Sequence, residues 1–464
     1  MKLKKSLPLF LASILALSTV GAFGGCSKVA IEDLYIPAYE DNGQRHLTMA
    51  DLPPNFTDEA AAQLYKDAGF NSAIYTEDFF KASDVVEQGE KSKYLKGLRV
   101  CEEVGLDVFL HPHAKYISKT PTDAPNYFEQ YFSTVDFHDY PAVKGFYIVD
   151  EPMYSTFDDI ENRYVTWFNE NYGDGTYEFW MSLFGAHNVN WKGAYREKTY
   201  EDYIERMYEV LQMTNSANKA HTMHFYPLCN NDGEYEMREY NLSTHAYAAK
   251  FARDRGIGFA PYVQAFGGFA DGSPYRVPSS FAEVNFSVNN LLAFGATQLK
   301  VFCYRDYSKD SLTGMVTNGE PNERYYFVKD ALAIVRKYDH VLLSFQWDHL
   351  YTNVGTGSMS AVNPAFEQAR NIVKPITGLT SVKSKYDVTL NEFTDGEGNK
   401  AVMLFNYDDP IRDRKNKTTL LFENAKGALY YRNGEPTTVL LEDGKFEIEL
   451  DSGEAVFVIP LYEK

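Results

Sequence analysis

The stretch VKGFYIVDEP, Val143 to Pro152, runs from an apolar, aromatic and β-branched segment into two adjacent carboxylates and a proline. A short apolar run closed by polar punctuation is the pattern of a buried strand. Here it delivers acid groups to the strand's C-terminal end. Its core, KGFYIVDE (144–151), is the fourth of eight such runs. The others are DLYIPAY (33–39), FNSAIYT (70–76), LDVFLHPH (106–113), EFWMSLFG (178–185), AHTMHFYP (220–227), IGFAPYVQA (257–265) and QLKVFCYR (298–305). Amphipathic stretches such as TDEAAAQLYKDAG and TYEDYIERMYEVLQMT lie between them, several ending in glycine, a common helix stop. Eight strand–helix units at near-regular spacing predict an α/β fold, a closed (β/α)8 TIM barrel. No GxGxxG follows the first run, which argues against a dinucleotide-binding sheet.

Outward from the barrel the texture changes at both ends. Residues 1–25 open with the cationic MKLKK and continue with the apolar LPLFLASILALSTVGAF; small residues then precede Cys26. This is the pattern of a lipoprotein-type signal peptide, with Phe23 where such signals usually carry Leu. It predicts export and a lipid attached to Cys26, which anchors the protein to the bacterial cell envelope. The barrel is expected over 26–374. From 375 to 464, short alternating runs such as AVMLFNY and KTTLLFE are punctuated by NG, DG and SG turns, predicting a small antiparallel β domain.

The formal net charge of −19 disfavours nucleic acid as a partner, because an acidic surface repels phosphate backbones. Membrane association is therefore expected through the lipid alone. Cys101, Cys229 and Cys303 show no CxxC spacing, so neither a zinc site nor a disulfide framework is indicated. No metal and no cofactor are expected.

In a (β/α)8 barrel the functional groups project from the C-terminal strand ends. Those ends carry Tyr39, Glu77 and Asp78, then His111 and His113, then Asp150 and Glu151. His187 and Asn188, Tyr226, Gln264, and Tyr304 with Arg305 and Asp306 complete the rim. Carboxylates, imidazoles, amides and rings together suit a polyol, whose hydroxyls need polar partners and whose ring face needs an apolar one. His221 and His224 fall inside the sixth run and read as core or supporting groups.

These residues also carry a family resemblance. GFYIVDEP resembles the acid/base strand of retaining barrel glycosidases, in which a Glu before Pro protonates the glycosidic oxygen. HFYP resembles a Tyr-Pro step of uncharacterised glycosidase-like barrels. The segment from YVQAFGG to VFCYRD, and GMVTNGEPNERYYFVKDALAIVRKY after it, resemble family 42 β-galactosidase-like enzymes; GKFEIELDSGEAVFVIPL resembles the β domain that closes such chains. The likeness extends to uncharacterised bacterial lipoprotein glycosidases. It implies a carbohydrate substrate and Glu151 as general acid. The sequence departs from the pattern twice: Asp150 stands where the family has Asn, and Gln264 where the family has its nucleophilic Glu.

A carboxyl beside another carboxylate in a partly apolar cup has its pKa raised, which suits Glu151 to hold a proton. Alternation along the strand would leave only one of Asp150 and Glu151 facing the cup. Asp306 is the first choice for the second catalytic acid, with Glu77, Asp78, Asp232 and Glu234 as alternatives. Asp150, His111, His113, His187, Asn188, Tyr226, Gln264, Tyr304 and Arg305 are expected to bind substrate. Two functions fit: a glycoside hydrolase acting on a cell-exterior oligo- or polysaccharide, or a catalytically inactive carbohydrate-binding surface lipoprotein.

Overall fold

The computed structural model describes residues 29–76, 85, 87–111, 134–186, 198–231, 234–270, 273–307, 312–358 and 363–464. Cys26, Glu77, Asp78, His113, His187, Asn188, Asp232 and the side chain of Glu234 lie outside the described residues.

Eight parallel strands form one sheet: β1 (Leu47–Ala50), β2 (Ser72–Thr76), β3 (Asp107–His111), β4 (Val143–Asp150), β5 (Glu178–Phe184), β6 (Ala220–His224), β7 (Gly258–Gln264) and β8 (Gln298–Phe302). From β2 to β8 each strand pairs with its neighbour in sequence, and β8 pairs in parallel with β1. The Asn71 N–H donates to Thr48 O at 3.1 Å where β1 meets β2, which brings the sheet round on itself. The chain is an α/β barrel of the expected kind.

Seven of the strands fall where the sequence places them; the first does not. Residues 33–39 lie against the C-terminal domain instead: Tyr35 N–H donates to Tyr462 O, and Leu34 bridges to Glu463. The true first strand is the four-residue LTMA, hidden by its shortness. Tyr39 therefore leaves the rim, and its hydroxyl donates to Asp395 at 2.9 Å.

Helices cover the sheet, with starts and stops that follow from local chemistry. Asp58 caps Glu59–Asp67, Ser92 caps Lys93–Val104, and Thr199 with Asp202 forms a capping box on Tyr200–Gln212. Gly105, at φ 71°, ends the second of these in the left-handed conformation that glycine adopts without a Cβ penalty. Inside the barrel, Met49, Ile74, Phe109, Tyr147 and Trp180 form a packed plug. Phe109 and Trp180 stack at 3.7 Å. This plug is the floor on which the rim residues stand.

After the helix Glu323–Leu342, two antiparallel sheets pack on each other around Leu390, Leu404, Leu420, Phe446 and Val458. The larger sheet begins with Phe345–Asn353, paired along its length with Val388–Asp395, so the β domain starts well before residue 375. The hairpin strands Leu228–Asn231 and Ser273–Tyr275, which follow β6 and β7, pair with each other above the barrel. Arg276, at the end of this ribbon, is 2% exposed and ties it down. Its guanidinium meets Glu283 at 2.9 Å and Asp409 at 2.7 Å, joining the barrel rim to the β domain. Removing one member of such a buried set costs about 3–5 kcal/mol, because the others are left as uncompensated buried charge.

Candidate active site

The site grows from an irregularity in β4. Its pairing with β5 shifts between Tyr147 and Val149, leaving Ile148 as a bulged residue. Glu151 then adopts φ 51°, a conformation that costs a non-glycine residue about 1 kcal/mol or more. Bulge and turn together break the alternation expected along the strand, and both carboxylates reach one imidazole. His224 Nδ1 lies 3.2 Å from Glu151 Oε1, and Nε2 lies 3.5 Å from Asp150 Oδ1.

His224 comes from the end of β6, with its ring edge-on to Tyr262 at 4.1 Å. Burial alone would make it harder to protonate. The charges of Asp150, Glu151 and Asp51 override this and raise its pKa to about 9, so it is cationic at neutral pH. Tyr147, one turn of the pleat below, donates its hydroxyl to Asp150 Oδ1 at 2.6 Å. His111 braces Tyr147 from β3: its Nδ1 lies 2.8 Å from Tyr147 O, and the two rings stack at 4.4 Å.

The third carboxylate is Asp51, immediately after β1. Tyr262 donates its hydroxyl to Asp51 Oδ1 at 3.4 Å. Burial and the charge of Asp150 push the Asp51 carboxyl up to about 7, against the opposing pull of His224 and Lys300. Lys300, on β8, is fully buried and donates to Thr222 Oγ1 at 3.2 Å. Its ammonium stands 4.2 Å over the Trp180 ring and within 6 Å of the rings of Tyr147 and Tyr262. Burial lowers its pKa to about 7, although Asp51, Glu178 and Asp150 favour its charge.

Several expected site residues are placed elsewhere. Gln264, expected to bind substrate, is fully buried with its amide committed to the main chain. Leu228 N–H donates to its Oε1 at 2.8 Å, and its Nε2 donates to Leu228 O and Arg276 O. It clasps the rim ribbon. Tyr304, also expected to bind substrate, packs outward against Tyr65 of the helix shell at 5.0 Å and is 1% exposed. Asp306 accepts from Gly314 N–H at 2.8 Å, in the loop after β8. Its charge acts on Cys303 and Arg324, whereas the carboxyl on which the charge of Asp150 acts is that of Asp51. Arg305 donates to Leu52 O at 3.1 Å and so braces the turn that carries Asp51.

Tyr226 does reach the cluster: its ring lies 6.2 Å from that of His224, and the charges of Asp51 and Glu151 act on its hydroxyl. That hydroxyl is buried and makes no hydrogen bond among the described residues. Ser182 Oγ, at the register position between Asp150 and Thr222, is in the same state. Among the described residues no group of three or more His, Cys, Asp or Glu is arranged to hold a metal ion.

Sequence reasoning missed Asp51, because β1 was read in the wrong place, and passed over His224, Tyr147, Tyr262 and Lys300 as strand interior. The alternation Thr222/His224, Tyr262/Gln264 and Lys300/Phe302, carried onto a barrel, would have pointed His224, Tyr262 and Lys300 inward.

No family model matches the sequence, and no curated protein matches it. Solved structures do. A glycoside hydrolase superposes with a TM-score of 0.51 at 10% identity, over 90% of this chain and 92% of its own. A family 27 β-L-arabinopyranosidase from Geobacillus stearothermophilus gives 0.46 at 11% identity, over 91% and 97% of the two chains. A family 30 subfamily 8 xylanase from Clostridium acetobutylicum gives 0.42 at 11%, over 91% and 98%. Over nine-tenths of its length, barrel and β domain together, the chain shares the fold of a glycoside hydrolase.

Proposed function

We propose that this protein is a glycoside hydrolase acting on an oligo- or polysaccharide outside the cell, held at the envelope by a lipid on Cys26. The observation that carries the reading is the raised, buried Asp51 carboxyl beside two carboxylates that share one imidazole. Asp51 is pushed up to about 7 and so holds a proton near neutrality. Asp150 receives the Tyr147 hydroxyl and, with Glu151, faces the His224 imidazolium. A carboxyl that holds its proton suits the role of acid, and a neighbouring carboxylate the role of anion.

In this reading the Asp51 carboxyl protonates the glycosidic oxygen as the bond breaks. The Asp150 carboxylate meets the positive charge that develops at the anomeric carbon; water then adds to that carbon, and its proton returns to the Asp51 carboxylate. Glu151 positions His224, which revises the role given to Glu151 by resemblance to the family 42 enzymes. Ser182 and Tyr226 offer hydroxyls to the sugar, and the rings of Tyr226 and Phe302 offer it an apolar face.

A test is release of reducing sugar from a panel of polysaccharides and aryl glycosides. Asp51→Asn and Asp150→Asn should each lower the release by about a thousandfold. Full turnover in either variant rejects the assignment. The second reading, a non-catalytic carbohydrate-binding lipoprotein, draws on Gln264 standing where related barrels place an acid. Saccharide binding by the wild type, with no release across the panel, would favour it. For the anchor, labelled fatty acid should enter the wild type and fail to enter Cys26→Ser.

A further inference from the structure

The smaller sheet of the β domain bears a second concave surface. It lies between the edge strand Leu379–Ser384 and the turn that follows Asn353, and encloses about 530 Å³. Its walls include Lys383, Lys385 and Lys417, with Asn353, Thr356 and Thr419, and no carboxylate. In a chain of 64 acidic against 45 basic residues, such a lining inverts the field of the surrounding surface.

The inversion follows from strand register. Lys383 lies opposite Thr419, and Lys385 N–H donates to Lys417 O, so period-two alternation sends all three lysine stems from one face, where the next strand adds Glu449 opposite Lys417 and Glu447 opposite Thr419. The wall is fixed by main-chain bonds: Thr356 N–H donates to Ser384 O at 3.1 Å, and Gly357 N–H to Lys385 O at 2.7 Å. Lys385 also lies 5.0 Å from the ring centre of Tyr386, whose ring lies 4.7 Å from the Arg414 guanidinium. Glu447 meets Lys417 at 3.6 Å but also Lys445 at 2.9 Å, so its charge is divided. Edge lysines discourage strand pairing between molecules, which accounts for Lys383 and Lys385. Lys417, on the central strand of its sheet, stands opposite Glu449 and 3.6 Å from Glu447, so the two edge lysines carry the unpaired charge of the groove.

We propose that this groove binds a carboxylated saccharide, one bearing uronate residues, and holds it on the protein independently of the cup. Ammonium groups suit the carboxylates; the Asn353 amide and Thr356 hydroxyl donate to Ser384 and the Thr419 hydroxyl to Glu447, which leaves their oxygens to accept from ring hydroxyls. A concave groove of this size takes a few sugar rings, whereas a membrane headgroup layer calls for a protruding face. The choice of a saccharide over another polyanion rests on the glycoside hydrolase reading.

The test is affinity electrophoresis of the full chain through gels containing polygalacturonate, its fully methyl-esterified form, or polyglutamate, with flotation on phosphatidylglycerol vesicles alongside. The wild type should be retarded by polygalacturonate alone. The double variant Lys383→Ser/Lys385→Ser should bind about tenfold or more weakly, while Lys329→Ser, exposed on the helix Glu323–Leu342, keeps its affinity. The cup variant Asp150→Asn should also keep it, so failure of the hydrolase reading and failure of this one are told apart. Equal retardation of the double variant, equal binding to polyglutamate, or binding to vesicles without binding to polygalacturonate would overturn the proposal.

Discussion

His224 Nδ1 stands 3.2 Å from Glu151 Oε1, while the other nitrogen of the same ring faces Asp150, the residue before. Two consecutive strand residues thus share one imidazolium, and the charge state of the cup depends on it.

The first prediction concerns that imidazole. Its folded pKa, about 9, lies above the 6.5 of an unfolded histidine, so its ion pairs stabilise the protein fully below about pH 6.5. The contribution falls as pH rises and is gone above about 9, a loss on the order of 2–3 kcal/mol. Chemical denaturation from pH 6 to pH 9.5 should show this decline in the wild type and a flatter curve in His224→Gln. NMR titration of the ring should give a lower pKa in Glu151→Gln than in the wild type.

Asp51 has the opposite consequence for stability. Its folded carboxyl is raised to about 7 from an unfolded value near 3.9, so the ionised form is the one the fold disfavours. Stability arising from this group is present below about pH 4 and is lost as pH rises through 7. Asp51→Asn should therefore melt higher than the wild type at pH 8 while losing hydrolysis. In the wild type, kcat/KM should fall above about pH 7 as the acid loses its proton.

Lys300 lies beneath the rings of Tyr147 and Tyr262, the two phenols that reach Asp150 and Asp51. Its charge helps keep Asp51 from rising further. Lys300→Met should retain activity with the alkaline limb of the pH profile moved up by roughly one unit. A purely structural lysine would lower activity at every pH and leave the limb in place.

Gln264→Glu is the substitution that the family resemblance invites, since it restores an acid to strand seven. Its carboxylate would face the Leu228 and Arg276 carbonyls that the amide now satisfies. The expected result is a loss of about 3 kcal/mol, read as a lower melting temperature, with no gain in hydrolysis.

The fold was legible wherever a strand was long enough to show its pattern. Strands two to eight each present five or more residues with a clear apolar core, and their order alone implies the barrel. LTMA was illegible because four residues carry too little periodicity against the stronger DLYIPAY nearby. With it went Asp51, the buried carboxyl that follows β1. Asp150 and Glu151 were legible as a pair, but alternation predicted that they would part. Gln264 was identified correctly as an amide at a strand end; its partners are main-chain atoms of distant hairpins, which no side-chain motif records.

The bulge at Ile148 gives the cup an unusual evolutionary sensitivity. Most single-residue deletions in a buried strand shift register and harm the core. Here, deletion of Ile148 would regularise the ladder while rotating the carboxylates that follow, trading acid density for backbone order. A chain without this residue would keep the barrel and part the two carboxylates, so the length of one strand sets whether they share His224.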